Sequence, residues 1–367
     1  MSRGANRHDR QPRILFCTVT QEPGHGGIAR VSSLVWTVIE DQFPGLCERL
    51  IAAPSGKDYP SVFEKSRFAA KAIGHQVFRE CDIVLFDHLG LARVQTLLPV
   101  SLRRPYGVFL HSLEAWAPLD RTRLNAISGA KLRVANSHYT ASRIAEAHPD
   151  AGEIAVCHLT LGRNMLHAAS PGVLESTAIA DQVRPNSVLI VGRMMTAERY
   201  KGHDQLIRAW SLVLESVTDA QLVVVGRGDD MARLRQLVGA RGVADNVLFT
   251  GHVSEATLAE IYRRAAVFAM PSRAEGFGIV YLEAMRHGLP CIGSIHDAAG
   301  EIIVDGETGY LVDQDDLNAL AGKISQLLVD PELRHGMGRR GLERLQCSFS
   351  PERFDSVMSE LLVKLAS

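Results

Sequence analysis

Short apolar segments alternate with amphipathic ones through the first half of the chain. Four apolar segments have the length of a strand and few polar residues: RILFCTV (13–19), DIVLFD (82–87), YGVFLH (106–111) and KLRVANS (131–137). Continuous apolar strands are typical of parallel sheets that are buried on both faces. Amphipathic segments at 28–39 and 139–147 predict helices. This alternation predicts an α/β domain built on a doubly wound parallel sheet.

The same alternation starts again at residue 187. Apolar segments predict strands at 187–193, 221–228, 246–253, 267–272, 290–294 and 309–313. Amphipathic segments predict helices at 203–216, 231–242 and 254–265, and one that starts at Asp315 or Asp316 and ends near Val329. We therefore predict two doubly wound, Rossmann-like domains that face each other across a cleft.

The stretches without strand and helix signals give the domain boundaries. Residues 163–187 contain two prolines and show no clear period, which is typical of a connecting segment. The last residues place apolar side chains at helical spacing, so we expect this helix to bury that stripe, and the first domain is the candidate surface for it. The predicted parts are a disordered lead-in (1–12), a first domain (13–165), a linker (166–186), a second domain (187–348) and a terminal helix (349–367).

Composition narrows the class of protein. The chain has 367 residues, of which 46% are apolar and 22% charged, as in soluble globular proteins of two domains. A net charge of −1 gives no general attraction to nucleic acid. The six cysteines never form a CxxC pair, which argues against a zinc site or a disulfide framework. The start of the chain lacks the apolar stretch of a secretory signal, so we expect a cytoplasmic protein.

Ligands of doubly wound sheets bind beyond the carboxyl ends of the strands, and two segments there stand out. In GRMMTAERYKGHD (192–204), Arg193 ends a strand and Lys201 precedes a helix. Two cations beside a helix N-terminus suit a diphosphate, whereas a solvated basic loop is the simpler alternative. We favour the anion site because it follows a strand.

The second segment is AEGFGIVYLEAM (274–285). Its glycines allow main-chain N–H groups to approach an anion or a sugar closely. Glu275 lies on the turn, and Glu283 follows eight residues later in an apolar context, about 12 Å along a helix. Two carboxylates at that spacing, with a phosphate-binding helix end between them, match the extended shape of a nucleotide-sugar.

With these segments, the chain resembles the retaining GT-B glycosyltransferases of glycosyltransferase family 4. The resemblance rests on VGRMMTAERYKGHDQLI, LVVVGRGDD, the stretch from VLFTGHVSEATLAEIYRRA to GLPCIGS, and GEIIVDGETGYLV, and more loosely on GHGGIARV and FLHS in the first domain. It implies a hexosyltransferase of polysaccharide or surface-glycan biosynthesis with a nucleotide-sugar donor, no required cofactor and no metal. The first domain would bind the acceptor and the second the donor.

The resemblance also implies residue roles. Arg193 and Lys201 would bind the donor diphosphate and stabilise the leaving nucleotide, and Glu275 would hold hydroxyls of the donor sugar. His111 would lie near the reacting sugar, where a hydrogen-bonded strand-end histidine is the alternative. Gly26 and Gly27 would approach the diphosphate or the acceptor, Val253 would contact the base, and Glu283 would bind the ribose. Main-chain contacts with the donor would come from Gly276, Phe277, Gly278 and Ile279.

Other signals have simpler explanations. Asp313 and Asp315 have the spacing of a metal motif, but a helix N-cap explains them better. GRGDD (226–230) lacks the third glycine of a dinucleotide fingerprint, which makes it weak evidence for a nicotinamide site. Asp87 and His88 follow a strand, where contact with the acceptor is the alternative to a structural role.

The sequence leaves two alternatives to a glycosyltransferase open. A nucleotide-sugar epimerase or hydrolase would use the same fold, and so would an inactive nucleotide- or glycan-binding subunit. The base is open between uridine and guanosine, with a slight preference for a UDP-sugar. Basic residues exceed acidic ones between Leu102 and Arg143, which is either a solvated face or a peripheral contact with the inner face of an anionic membrane that carries a lipid-linked acceptor.

Overall fold

The chain folds into two compact units. Unit 1 comprises Met1–Gly162 together with Pro351–Ser367, and unit 2 comprises Arg163–Ser350. The structure is a computed structural model, and it describes residues 11–20, 27–53, 60–163 and 178–367. Gly26 and most of the predicted lead-in and linker therefore lie outside the described residues.

Unit 1 is built on a six-stranded parallel sheet in the order β2-β1-β3-β4-β5-β6. Its central strands β1, β3 and β4 are buried along their whole length, as continuous apolar strands require. The strands are β1 (Ile14–Thr18), β2 (Cys47–Ile51), β3 (Ile83–Phe86), β4 (Tyr106–Leu110), β5 (Leu132–Ala135) and β6 (Ala155–Val156). The helices before residue 163 are α1 (Gly27–Gln42), α2 (Val62–Val77), α3 (Leu89–Ala92), α4 (Leu113–Trp116), α5 (Arg121–Ser128) and α6 (His138–Ala147).

Unit 2 has a second six-stranded parallel sheet, in the order β12-β11-β10-β7-β8-β9. Its strands are β7 (Ser187–Val191), β8 (Gln221–Val225), β9 (Val247–Gly251), β10 (Val267–Ala269), β11 (Cys291–Ser294) and β12 (Gly309–Val312). Its helices are α7 (His203–Ser216), α8 (Met231–Ala240), α9 (Glu255–Arg264), α10 (Ile279–Arg286), α11 (Ala299–Ile302), α12 (Leu317–Val329) and α13 (Pro331–Ser348). The predicted fold class, two doubly wound parallel sheets, is confirmed.

Each sheet has one point at which the order of its strands reverses. In unit 1 this switch point lies between β1 and β3, because β2 and β3 extend the sheet on opposite sides of β1. In unit 2 it lies between β7 and β10. Residues that follow these four strands therefore stand where doubly wound sheets bind their ligands.

The last helix, α14 (Pro351–Ala366), belongs to unit 1. Its Leu365 packs against β4, where a side chain at Gly107 would meet Leu365 Cδ2 at 3.1 Å. At the other end of the predicted linker, residues 178–186 belong to unit 2. They are held there because the buried Gln221 side chain accepts a hydrogen bond from the main chain of Arg184 at 2.9 Å. Among the described residues, no helix is long and apolar enough to cross a bilayer.

Candidate active site

The first predicted anion-binding loop follows β7 at the switch point of unit 2. Arg193 lies two residues after the end of this strand, and Lys201 ends a 3-10 segment, Thr196–Lys201. Glu198 bridges the two cations: one carboxylate oxygen pairs with the Arg193 guanidinium, and the other is 3.1 Å from Lys201 Nζ. Lys201 also lies over the strand end, since a Cβ on Gly192 would be 3.4 Å from its Cδ. The two positive groups therefore share one small region.

Two loops meet at this switch point and are bonded to each other. The main-chain N–H of Arg273, after β10, donates to Tyr200 O at 2.9 Å. Gly202 has a φ of +89°, and a Cβ there would be 2.4 Å from Pro271 O. Only glycine fits both the left-handed conformation and this close approach. The loop with Lys201 is thus held against the loop that leads to Glu275.

Glu275 shares the electrostatic environment of the two cations. It is half-buried on the turn after β10, and its carboxylate accepts a hydrogen bond from the Gly276 main-chain N–H. Burial raises the pKa of Glu275 and the charge of Glu198 adds to the rise, while Lys201 and Arg193 oppose it. The structure therefore brings together Arg193, Lys201 and Glu275 within unit 2.

The helices that begin beside these residues have bare N-termini. Gly202 and Gly278 are the N-cap residues of α7 and α10, both are left-handed, and neither has a side chain that could cap the first turn. The first N–H groups of such a helix remain available to an anion. Side-chain caps do occur on other helices: Ser61 on α2, Asp120 on α5, Ser137 on α6, Ser254 on α9, Asp316 on α12 and Asp330 on α13.

Glu283, the predicted ribose ligand, is 3% exposed and lies in α10. One of its oxygens accepts a hydrogen bond from the Tyr262 hydroxyl at 2.9 Å, and the Tyr262 ring stacks on His287 with 5.3 Å between centroids. The expected helical rise of eight residues is wrong, because α10 begins only at Ile279 and Glu275 precedes it on the turn. Sequence reasoning missed Tyr262 as the partner of Glu283.

The remaining predicted contacts of unit 2 differ in how close they lie to the switch point. Gly276 and Gly278 are buried on the turn, and Ile279 starts α10. Phe277 is 1% exposed and packs edge-on against Phe349, so its side chain serves the core and only its main chain is a candidate ligand. Val253 follows the edge strand β9, two strands away from β7.

In unit 1, His111 follows β4 and is 7% exposed. Its Nε2 is 2.7 Å from the main-chain oxygen of Asp87, and its main-chain N–H donates to Glu114 Oε1 at 3.1 Å. Gly27 is the first residue of α1, and a Cβ there would have no atom within 4 Å. The structure thus gives Gly27 open surroundings but no required glycine geometry.

The competing motifs take structural roles. The N-cap of α12 is Asp316, and not Asp313 or Asp315 as the simpler explanation had it; Asp313 pairs with His296 and Asp315 with Arg273. Asp229 accepts from the main chain of Thr196, and the Asp230 carboxylate binds the guanidinium of Arg199. The GRGDD segment therefore holds the Thr196–Lys201 loop in place.

Structural neighbours identify the fold. Anabaena HepE, crystallised in complex with UDP and glucose, superposes with a TM-score of 0.74 at 20% identity, over 96% of this chain and 100% of that one. Sucrose-phosphate synthase from Thermosynechococcus elongatus gives a TM-score of 0.75 at 22% identity, over 96% and 98%. The two doubly wound units are those of the GT-B fold.

Sequence comparison identifies the family of the second unit. Residues 177–344 match the family Glycosyl transferases group 1, so unit 2 is a domain of that family. The chain is 38% identical over 148 residues to the GDP-mannose-dependent alpha-(1-6)-phosphatidylinositol monomannoside mannosyltransferase of Mycolicibacterium smegmatis, which is 38% of this chain and 39% of the relative. It is 35% identical over 158 residues to the N-acetyl-alpha-D-glucosaminyl L-malate synthase of Bacillus anthracis, 43% and 41% of the two chains. The match thus spans about two fifths of each relative.

Proposed function

We propose that this protein is a retaining glycosyltransferase that moves a hexose from a nucleotide diphosphate sugar to a hydroxyl of a glycan or glycolipid. The observation that carries the proposal is the switch point of unit 2. There Arg193 and Lys201 share one carboxylate partner, two helices begin at bare glycines, and Glu275 lies beside the cations. In this proposal, the cations and helix ends hold the diphosphate, and Glu275 binds hydroxyls of the sugar.

The chemistry needs positive charge where this site supplies it. Transfer breaks the bond between the anomeric carbon and the diphosphate oxygen, so negative charge grows on the phosphate and positive charge on the sugar ring. Fixed donors aimed at developing charge are usually the largest catalytic contribution. Arg193, Lys201 and the N-terminus of α7 supply such donors from unit 2. In the retaining reaction proposed, the acceptor oxygen bonds to the same face of the anomeric carbon, and its proton passes to the leaving phosphate.

The names of the relatives bear on the donor. The Mycolicibacterium relative, at 38% identity, is named as GDP-mannose-dependent, whereas the neighbour that holds UDP is 20% identical. Because the closer sequence similarity carries more weight for ligand choice, we now propose a GDP-hexose ahead of the UDP-sugar that the sequence slightly favoured. The same relative is named for a phosphatidylinositol monomannoside acceptor, which supports a glycolipid acceptor for unit 1. In this proposal, His111 lies near the reacting sugar.

A lipid-linked acceptor would bring unit 1 to a membrane surface. Leu97, Val100 and Leu102 expose 66%, 77% and 43% of their surface just before the basic residues that start at Arg103. Part of that positive charge is already used within the fold, since Arg103 and Arg133 donate to main-chain oxygens. The apolar side chains therefore support peripheral membrane contact more directly than the charges do.

Acceptor-dependent release of nucleotide tests the function. We expect GDP or UDP to bind the full chain in calorimetry, and the matching sugar nucleotide to release free nucleotide only when a glycan or glycolipid acceptor is added. Release without acceptor would indicate a hydrolase, an isomerised donor would indicate an epimerase, and binding without turnover would indicate an inactive subunit. Glu275→Ala should abolish transfer while circular dichroism shows an intact fold.

A further inference from the structure

Glu114 is the centre of a hydrogen-bonded group at the switch-point edge of unit 1. It lies in the first turn of α4, and its side chain is 19% exposed. Its Oε1 accepts the main-chain N–H of His111 at 3.1 Å. Its Oε2 pairs with Nε2 of the His88 imidazole. Both oxygens of one carboxylate are therefore in contact with a nitrogen, Oε1 through a hydrogen bond and Oε2 through a close approach that lacks hydrogen-bond alignment.

The proton of His88 can be placed from its two contacts. Nδ1 accepts a hydrogen bond from the Gly90 main-chain N–H at 2.9 Å, which caps α3. A nitrogen that accepts a hydrogen bond carries no proton, so in this arrangement the imidazole proton is on Nε2. Nε2–H then faces Glu114. The cap on Gly90 thus holds the His88 ring with Nε2 beside the carboxylate.

His111 is held in a matching way. Its Nε2 is 2.7 Å from the main-chain oxygen of Asp87, and a carbonyl oxygen can only accept. Nε2 therefore carries a proton, and Nδ1 is the ring nitrogen that this contact leaves unused. The next residue, Ser112, has a φ of +45°, a conformation that is rare and costly for a non-glycine residue. The contact between the His111 N–H and Glu114 spans this strained residue.

We propose that Glu114 is a positioning residue of the transfer reaction: its carboxylate fixes the main chain of His111 and the proton of His88 at the same time, and so presents His111 Nδ1 as an acceptor for a substrate hydroxyl. The inference rests on the proposed glycosyl transfer. A carboxylate is required because two donors face it. An amide of the same shape offers only one acceptor, so one of the two donors would face an NH2 group.

The isosteric variant Glu114→Gln tests this requirement. With one buried donor left facing another donor, we expect kcat to fall about tenfold to a hundredfold while the protein stays folded. The affinity for the nucleoside diphosphate should stay within about twofold of wild type, because the cations and helix ends proposed to bind it lie in unit 2, away from Glu114. Wild-type kcat in Glu114→Gln would overturn the proposal.

A second histidine–glutamate pair in the same unit provides the matched control. His75 Nδ1 is 2.9 Å from Glu80 Oε2 at the opposite, amino-terminal edge of the sheet. This pair engages one oxygen of Glu80, so an amide can keep the contact. Glu80→Gln should therefore leave kcat and nucleotide affinity unchanged. An equal loss of kcat in Glu80→Gln and Glu114→Gln would show a general effect of charge removal and would contradict the inference.

NMR of the histidine rings distinguishes a role of Glu114 in positioning His88 and His111 from a general loss of stability in the variant. Long-range proton–nitrogen spectra report which ring nitrogen carries the proton, and His88→Asn and His111→Asn assign the signals. We expect the Nε2–H form for both rings in wild type and in Glu80→Gln, and a changed His88 or His111 signal in Glu114→Gln. Unchanged signals for both rings in Glu114→Gln would contradict the proposal even if activity fell.

The test of Glu114 can be distinguished from the test of the proposed glycosyl transfer. Absence of nucleotide binding and transfer in wild type would reject the proposed glycosyl transfer, yet the NMR comparison would still decide whether Glu114 orients the histidines. If Glu114→Gln does not fold, His88→Asn replaces it, because asparagine can keep the cap on Gly90 and removes the donor to Glu114. A fall of about threefold to tenfold in kcat with unchanged nucleotide affinity is then expected, and wild-type kcat overturns the proposal.

Discussion

The two units carry different chemistry at the switch points of similar sheets. In unit 2, the loops after β7 and β10 hold Arg193, Lys201 and Glu275, and two helices begin at bare glycines. In unit 1, the strand ends at the switch point hold Asp87, a buried carboxylate that accepts from the hydroxyls of Thr18 and Ser32. Burial raises the pKa of Asp87 despite these hydrogen bonds.

The difference shows how one topology supports two kinds of ligand. An edge with two cations suits an anion such as a diphosphate, whereas the edge in unit 1 holds carboxylates and histidines, such as Asp87, Glu114 and His111, which suit hydroxyl groups. The fold alone would not distinguish the two, because doubly wound sheets host many functions. The side chains after the strands make the distinction.

The largest expected effect comes from removing one cation of unit 2. Lys201→Ala should lower kcat by about a hundredfold to a thousandfold, because Lys201 would stabilise the charge that develops on the leaving phosphate. Arg208→Ala is the matched control. Arg208 is on α7 and about half exposed, and its contact with Asp204 is weak, with 3.9 Å between Nη2 and Oδ1. Steady-state kinetics with saturating acceptor measure both. Equal activity of Lys201→Ala and Arg208→Ala would contradict the proposal that the donor diphosphate binds at the cations of unit 2.

Local sequence signals predicted most of unit 2 and its loops. The helix predicted at 203–216 has those exact bounds, because Gly202 ends the preceding loop and the apolar stripe has a clear helical period. The cluster of Arg193, Lys201 and Glu275 was also predictable, since charged residues and glycines directly after apolar strands must lie at one edge of a parallel sheet.

Two of the elements that sequence reasoning missed, β2 and α13, lack such local signals, whereas the missed helix α2 has one in its Ser61–Glu64 capping box. The strand β2, CERLI, is a half-exposed edge strand with polar residues, so no continuous apolar run marks it. The helix α13 contains Gly336, Gly338 and Gly341, which weaken any helix prediction. Its Gly338 lies against the main chain after α10, where a Cβ would be 1.8 Å from Gly288 O. That close contact is tertiary, as are the contact of Glu114 with His88 and the bond of Tyr262 to Glu283, and none of them shows in the spacing of residues.

A second prediction tests whether the two loops of unit 2 act as one site. Gly202→Ala should destabilise unit 2 by about 2 kcal/mol or more, because alanine must adopt a left-handed φ and its Cβ would collide with Pro271 O. Gly239→Ala, inside α8 with no atom within 4 Å of the new Cβ, should instead stabilise the unit by about 0.5–1 kcal/mol. Urea unfolding followed through Trp210, the single tryptophan of unit 2, measures both after Trp36 and Trp116 are replaced by phenylalanine.

Similar stability of these two glycine variants would mean that the contact between Gly202 and Pro271 is not needed to hold the loops. Nucleotide binding sharpens the result. If the loops form one diphosphate site, Gly202→Ala should also weaken GDP or UDP binding, and Gly239→Ala should not.

The last expected effect concerns one buried acid of unit 2, Asp297, and it is seen only as the pH changes. Asp297 is 5% exposed, and its carboxyl accepts hydrogen bonds from the Ser272 hydroxyl and, at 2.9 Å, from the Ala299 main chain. Burial raises the pKa of Asp297 to about 7, and the charge of Glu275 contributes to the rise. An aspartate in the unfolded chain titrates near pH 4, so between about pH 4 and 7 the folded form holds a proton that the unfolded form has lost.

The stability contributed by protonated Asp297 is therefore complete below about pH 4 and is lost as the pH rises through 7. Relative to Asp297→Asn, which cannot titrate there, the free energy of unfolding of the wild type should fall by at most about 1.4 kcal/mol per pH unit across this window. Unfolding followed through Trp210 at pH 5, 6 and 7 measures the difference. Asp87→Asn, followed through Trp36 and Trp116, should show a difference of the same sign, because burial also raises the pKa of Asp87. If the stability difference depends on pH for Asp297 but not for Asp87, then only Asp297 holds an extra proton between pH 5 and 7. The contrast between the two edges would then extend to their buried carboxyl groups.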